Sequence, residues 1–201
     1  NMKPVIAHGI QAMSIGFLVE EAAPMVWRGP MVTQALEQLL KNTEWDNVDY
    51  MIVDLPPGTG DTQLTLSQKI PVSGAVIVTT PQDIALIDAQ KGLAMFEKVN
   101  IPILGIVENM SIHICSNCNH AEEIFGNGGG ERMAASSNTN FLGALPLKLE
   151  IRTDVDEGTP SVAKDPESPV SIMYQQIARK VAATLSLQSE SVGAFPKITI
   201  E

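Results

Sequence analysis

Continuous aliphatic runs, separated by stretches with helical spacing, most constrain what this chain can fold into. Gly74–Thr79 and Pro102–Val107 are almost entirely aliphatic. Between them, apolar residues from Leu86 to Phe96 recur on one helical face, after a cap at Asp83. Strands with no polar face are typical of parallel sheets covered by helices. The sequence therefore predicts an α/β fold, with a mostly parallel sheet and helices on both faces.

Other segments carry weaker patterns of the same two kinds. The further predicted strands are Pro4–Ala7, Met13–Val19 (separated from the first by His8-Gly9), Tyr50–Val53 and Phe141–Leu145. The further predicted helices are a stripe from Val32 to Leu40, a short helix over Asp61–Lys69 capped by Asp61, and a stripe from Val170 to Leu185. We expect a single domain over residues 1–187 and a weakly patterned tail over 188–201.

Composition excludes several classes of protein. The chain has 201 residues and a net charge of -10, which argues against a nucleic-acid surface and against an anionic membrane surface. No apolar run approaches the length of a membrane span. Its two cysteines do not make a disulfide framework. We therefore expect a cytoplasmic protein that binds neither nucleic acid nor membrane.

The loop Asp54–Asp61, with sequence DLPPGTGD, follows the predicted strand Tyr50–Val53. A carboxylate at the carboxyl end of a parallel strand lies where ligands bind and can hold Mg²⁺, usually through water. The prolines fix the backbone, and the glycines let N–H groups approach an oxyanion. The string predicts a loop that senses the terminal phosphate of a nucleotide. An ordinary strand–helix connection capped by Asp61 is the alternative.

Cys115 and Cys118 form a C-x-x-C motif in a polar loop over residues 113–120. Two thiolates at this spacing can chelate one metal ion or one edge of a cluster. They are half of a four-thiolate site, which a symmetric dimer would complete. Four alternatives remain open: a single-chain zinc site with His113 and His120, zinc shared between two protomers, a redox pair, and two free thiols. Asn119 suits a left-handed turn after the motif.

Longer strings resemble a known family, the Mrp/ApbC-type ATPases, which are iron–sulfur cluster carriers related to MinD and to the nitrogenase iron protein. VDLPPGTGD, Val53–Asp61, resembles the second switch of that family. The resemblance covers nearly the whole chain except the tail. The other matching strings are Met25–Met31, Gln63–Gly92, Gly105–Cys118, Ile124–Glu131 and Leu145–Leu147.

The resemblance implies an ATP-dependent carrier that is a homodimer and a P-loop NTPase of the MinD type. Cys115 and Cys118 would bind a [4Fe–4S] cluster between two protomers, for transfer to apo iron–sulfur proteins, with assembly scaffolds as further partners. Asp54 would be catalytic and assist Mg²⁺, and Asn109 would contact the adenine edge of ATP. The residues implied at the nucleotide are Pro57, Gly58, Thr59, Gly60, Asp61, Asn109 and Pro146.

The Walker A string G-x-x-x-x-G-K-[ST] does not occur in this sequence. The glycine-rich run Gly126–Gly130 leads into Glu131-Arg132 and predicts a flexible hinge before a helix at Glu131. The family carries its P-loop upstream of the segment that Asn1–Val19 resembles. We therefore expect an N-terminally truncated sequence, without the first strand, that does not hydrolyse ATP alone. The alternative functions are a zinc-bridged, non-catalytic dimerisation or scaffold module and a MinD-like positioning ATPase.

Overall fold

The computed structural model describes residues 1–18, 29–55 and 70–189. The chain divides into two compact units, Asn1–Pro71 and Val72–Glu201. Within the described residues, no helix has both the length and the apolar character that crossing a membrane requires.

The first unit begins with a hairpin. Strands β1 (Val5–Ala7) and β2 (Ile10–Ala12) pair antiparallel around His8-Gly9, where both residues have positive φ, as tight hairpin turns require. A single 3₁₀ turn follows at Ile15–Phe17, and helix α1 spans Gly29–Asn42. The helix confirms the predicted stripe from Val32 to Leu40.

The predicted strand Met13–Val19 is wrong over its described residues. Pairing of β2 stops at Ala12, and Ser14 starts the 3₁₀ turn instead. The Ser14 hydroxyl accepts the Gly16 N–H at 3.1 Å, so a local hydrogen bond replaces the one that a sheet ladder would need. Val19 lies outside the described residues.

The predicted strand Tyr50–Val53 is also wrong. No described segment pairs with these residues, and all four side chains are exposed, with Ile52 at 86%. Apolar, β-branched residues favour a strand, but a strand exists only where a neighbour completes its hydrogen bonds. The predicted helix over Asp61–Lys69 lies outside the described residues.

The second unit alternates strands and helices. Its elements are β3 (Ala75–Thr79), α2 (Asp83–Lys98), β4 (Ile103–Glu108), β5 (His113–Ile114), β6 (Ala121–Glu122), α3 (Gly129–Ser136), β7 (Phe141–Ala144), α4 (Leu149–Asp156), α5 (Ser161–Lys164) and α6 (Pro169–Ser189). β3, β4 and β7 form a parallel sheet in that order. The predicted parallel α/β fold is confirmed. One detail differs, because Gln82 rather than Asp83 is the N-cap of α2.

Helices cover both faces of this sheet. On one face, Val107, Leu142 and Leu145 form a buried cluster against Ile177 and its neighbours on α6. On the other face lies α3, whose Gly130 N–H donates to the buried Glu108 carboxylate at 2.7 Å. An N–H bond to a charged group contributes about 1.5–3 kcal/mol, and the carboxylate also suits the positive end of a helix. This contact ties the end of β4 to the start of α3.

The glycine-rich run is a close-packed helix start rather than the predicted hinge. Gly128 is the N-cap of α3 with φ of 64°, a left-handed conformation that glycine adopts without strain. A Cβ on Gly129 would lie 2.9 Å from the Pro81 carbonyl oxygen. The helix therefore begins at Gly129 and not at Glu131, because only glycines allow so close an approach.

We expect Gly129→Ala to lower the free energy of unfolding by about 1–3 kcal/mol, because its Cβ would meet backbone that cannot move aside. Gly92→Ala is the matched control: Gly92 lies within α2 with nothing within 4 Å of its added Cβ. That change should stabilise the chain by up to about 1 kcal/mol. Urea denaturation followed by circular dichroism measures both, and equal midpoints for the two variants would contradict the packing argument.

Candidate functional site

The carboxyl ends of the parallel strands bring two predicted site residues to one edge of the sheet. The Asn109 N–H donates to the Thr79 carbonyl at 2.7 Å, and the Leu145 N–H donates to the Glu108 carbonyl at 2.8 Å. Pairing thus continues one residue beyond β4 and β7. Asn109 and Pro146 follow directly, at the edge where ligands bind in open parallel sheets.

Asn109 presents an amide donor at this edge. Its Oδ1 accepts the Met110 N–H at 2.9 Å, and Met110 has a left-handed φ of 55°. No described residue accepts a hydrogen bond from the Asn109 Nδ2. The side chain is half-buried, whereas Pro146 is buried. Within the described part of the chain, the NH₂ group has no acceptor, so it could donate to an acceptor on a ligand.

The C-x-x-C motif lies at the tip of the β5–β6 hairpin. His113 pairs with Glu122, and Ile114 pairs with Ala121. Beyond this ladder, the Cys115 N–H donates to the His120 carbonyl at 2.9 Å. The Asn119 N–H returns to the Cys115 carbonyl at 2.9 Å, with Asn119 in the left-handed conformation that was expected there. The turn holds Cys115 half-buried and Cys118 exposed, both as free thiols.

Backbone N–H groups stabilise the thiolate form of Cys115. The N–H of Asn117 contributes most to lowering the pKa of the Cys115 thiol below its ordinary value, followed by the N–H of Cys118 and the Cys118 thiol. Burial and the negative charge of Glu122 oppose that shift in pKa. Since the thiolate is the form that binds metals, the lowered pKa makes Cys115 chemically suited to metal binding.

The flanking histidines do not complete a four-ligand site with the cysteines. His113 Nδ1 lies 3.0 Å from the Leu147 carbonyl oxygen, and because a carbonyl only accepts, Nδ1 carries the proton. His120 is exposed. Within the described part of the chain, no three His, Cys, Asp or Glu side chains are grouped as metal ligands. The hairpin thus offers two thiols, and the geometry does not support a zinc site made by one chain.

Sequence reasoning missed a backbone link between the hairpin and the loop after β7. The Ser111 N–H donates to the Leu145 carbonyl at 2.9 Å, and the Leu147 N–H donates to the Ile112 carbonyl at 2.8 Å. His113, interpreted from sequence only as a possible metal ligand, is a partner of Leu147. The signal was the alternation Ser111-x-His113, which places both side chains on one side of an extended segment.

The remaining predicted site residues all belong to the first unit. Asp54 is exposed and belongs to the first unit. The rest of the predicted phosphate-sensing loop, Pro57, Gly58, Thr59, Gly60 and Asp61, lies outside the described residues.

Two curated proteins with iron–sulfur cluster names are similar to most of this chain. The iron–sulfur cluster carrier protein of Escherichia coli K12 is 57% identical over 192 residues, covering 96% of this chain and 52% of that protein. The mouse iron–sulfur cluster transfer protein NUBPL is 51% identical over 189 residues, covering 94% of this chain and 59% of its own length. The chain therefore spans about half the length of the curated relatives it matches.

Solved structures agree with the fold. A nucleotide-binding protein of Archaeoglobus fulgidus, determined in complex with ADP, is similar with a TM-score of 0.67 and 32% identity. The match covers 83% of this chain and 63% of that one. A family model described as ParA, NUBPL iron-transfer P-loop NTPase matches residues 1–182. The chain belongs to this family of iron-transfer P-loop NTPases.

Proposed function

We propose that this chain is part of an ATP-dependent iron–sulfur cluster carrier. It would hold a [4Fe–4S] cluster as cargo and pass it to apo iron–sulfur proteins. The observation that carries the proposal is the β5–β6 hairpin, whose turn lowers the pKa of the Cys115 thiol and holds Cys118 exposed on the surface. The names of the relatives from Escherichia coli and mouse support an iron–sulfur cluster as the cargo, without specifying its type.

Two thiols per chain favour a site shared between two chains. A [4Fe–4S] cluster takes four thiolates, so one hairpin supplies half of its ligands. A second copy related by a two-fold axis supplies the other half, which makes a homodimer the simplest complete site. The exposure of Cys118 leaves its sulfur accessible to such a partner. Free thiols also suit the reducing cytoplasm, where we place the protein.

The nucleotide would bind at the edge that carries Asn109 and Pro146. The Asn109 amide has a donor without a described partner and an acceptor that already orients it, which suits the edge of an adenine base. We assign Asp54 to Mg²⁺ as the catalytic carboxylate, because carboxylate oxygen is a preferred ligand of that ion. Pro57, Gly58, Thr59, Gly60 and Asp61 would contact the terminal phosphate. When bound, ATP would supply free energy through its hydrolysis. We still predict that this chain alone does not hydrolyse ATP.

Removing either sulfur should abolish cluster binding. We expect Cys115→Ser and Cys118→Ser each to lose most of the bound iron and sulfide after anaerobic reconstitution, while the unaltered protein binds one cluster per two chains. Ser116→Ala, in the same turn, is the matched control and should load normally. Iron and sulfide analysis, visible absorbance and native mass spectrometry provide the measurements. Uptake of zinc but not of iron by the unaltered protein would favour the zinc-bridged module instead.

The Cys115 thiol should react at lower pH than an ordinary thiol. Because its pKa is lowered, the thiolate persists as pH falls below the range where free thiols titrate. We expect the pH midpoint of iodoacetamide alkylation of the metal-free protein to lie below that of a peptide covering residues 113–120. Glu122→Gln should lower the midpoint further, since the Glu122 charge raises the pKa of Cys115. A protein midpoint at or above the peptide value would refute the role given to the turn.

Nucleotide affinity should depend on the Asn109 amide. Asn109→Ala removes both donor and acceptor, and Asn109→Asp keeps the oxygen that accepts the Met110 N–H. We expect both variants of the intact protein to bind ADP about tenfold more weakly, in line with loss of one hydrogen bond to a buried acceptor. Titration calorimetry measures this. Normal ADP affinity in both variants would remove Asn109 from the site.

A further inference from the structure

The segment leading into β5 and the loop after β7 are joined by both backbone and side-chain hydrogen bonds. Besides the two backbone bonds already described, the Ser111 hydroxyl donates to the Leu145 carbonyl at 3.1 Å. His113 Nδ1 donates to the Leu147 carbonyl at 3.0 Å. We name this set, formed by Ser111–His113 with Leu145–Leu147, the hairpin clamp.

The cysteine hairpin depends on the clamp for its position. β5 and β6 have only two residues each, and a hairpin this short is not stable by itself. His113 is both the first residue of β5 and the donor to Leu147. The carbonyl acceptor also holds the imidazole ring in one orientation. A displacement of Leu147 would therefore also displace the sulfur atoms of Cys115 and Cys118.

The other side of the clamp is the edge of the sheet beside Asn109. Pro146 lies between the two clamp acceptors, Leu145 and Leu147, and Leu145 is itself held by the Glu108 carbonyl. Ser111 follows Asn109 by two residues. A ligand that shifts either Asn109 or Pro146 should therefore act on the clamp, because Pro146 lies within it and only Met110 separates Asn109 from Ser111. The physical path from this edge to Cys115 is short and continuous.

We propose that the hairpin clamp couples an adenine nucleotide at the Asn109–Pro146 edge to the positions of Cys115 and Cys118, with Ser111 and His113 as positioning residues. The proposal rests on the proposed function for the identity of both ligands. A coupling of this kind requires that the nucleotide-bound and free states differ in the geometry of the sulfurs. Exposed Cys118, at the tip of the hairpin, reports that difference through its reactivity with an alkylating reagent.

The variants separate positioning from folding. His113→Phe keeps a ring of similar size but removes the donor, and Ser111→Ala removes one hydroxyl with little change in volume. His113→Asn restores a side-chain N–H near the position of Nδ1 and should rescue the effect. His120→Phe is the matched control, because His120 flanks the cysteines in the turn just before β6 and its exposed ring is outside the clamp.

The experiment measures alkylation of the metal-free, intact protein at one pH, with and without ADP, using peptide mass spectrometry to separate the two cysteines. We expect ADP to change the rate ratio of Cys118 to Cys115 by about fivefold or more in the unaltered protein and in His120→Phe. In His113→Phe and Ser111→Ala the ratio should respond less than about twofold while ADP affinity is retained, and His113→Asn should restore the response. Circular dichroism confirms folding of each variant.

Two results would overturn the clamp: an ADP response that persists in both Ser111→Ala and His113→Phe, or no ADP response in an unaltered protein that binds ADP. Failure of the proposed function looks different. The unaltered protein could take up no iron and sulfide, while its thiols respond to ADP only when the clamp is intact. That result would refute the proposed cargo and support the proposed coupling through the clamp.

Discussion

Parallel pairing of β4 with β3 on one side and β7 on the other is the constraint on which the second unit depends. β4 is buried along most of its length, and its hydrogen bonds continue past its end to Asn109 and, through Glu108, to Leu145. One continuous hydrogen-bond ladder therefore fixes where β3, β4 and β7 end relative to one another. The same ladder places the start of α3, because the side chain of Glu108 accepts the Gly130 N–H. The register of the strands therefore places Asn109 at the edge of the sheet. The position of the β5–β6 hairpin depends in turn on that edge.

Much of this architecture was predictable because its signals are local. Strands such as β3 and β4 are aliphatic runs, and α2 and α6 have apolar residues at helical spacing, so each element carries its own evidence. Tyr50–Val53 carries a similar apolar signal, but strand formation depends on a neighbour that lies elsewhere in the chain. Propensity alone could not supply that information, and the prediction failed there.

The site shows the same division between local and distant information. The left-handed conformation of Asn119 is local, and its prediction is confirmed. The spacing of Cys115 and Cys118 is also local, and the ligand role that it indicates stays a prediction. The role of His113 was not predicted, because its partner Leu147 is 34 residues away and is a backbone carbonyl, whose identity leaves no trace in the sequence. The glycines before α3 were misread for a related reason. Gly129 must be small because the backbone of Pro81, which is distant in sequence, lies against it. A glycine-rich composition alone is instead typical of a flexible linker.

The carboxylate at the start of α3 has one more consequence. Glycine-rich helix starts attract anions, because their N–H groups and dipole favour negative charge. Here the chain's own Glu108 already accepts the Gly130 N–H, close to the edge where a nucleotide would lie. The Gly130 N–H, one of the donors at this helix start, is therefore already used within the chain and is not open to an anion from solution.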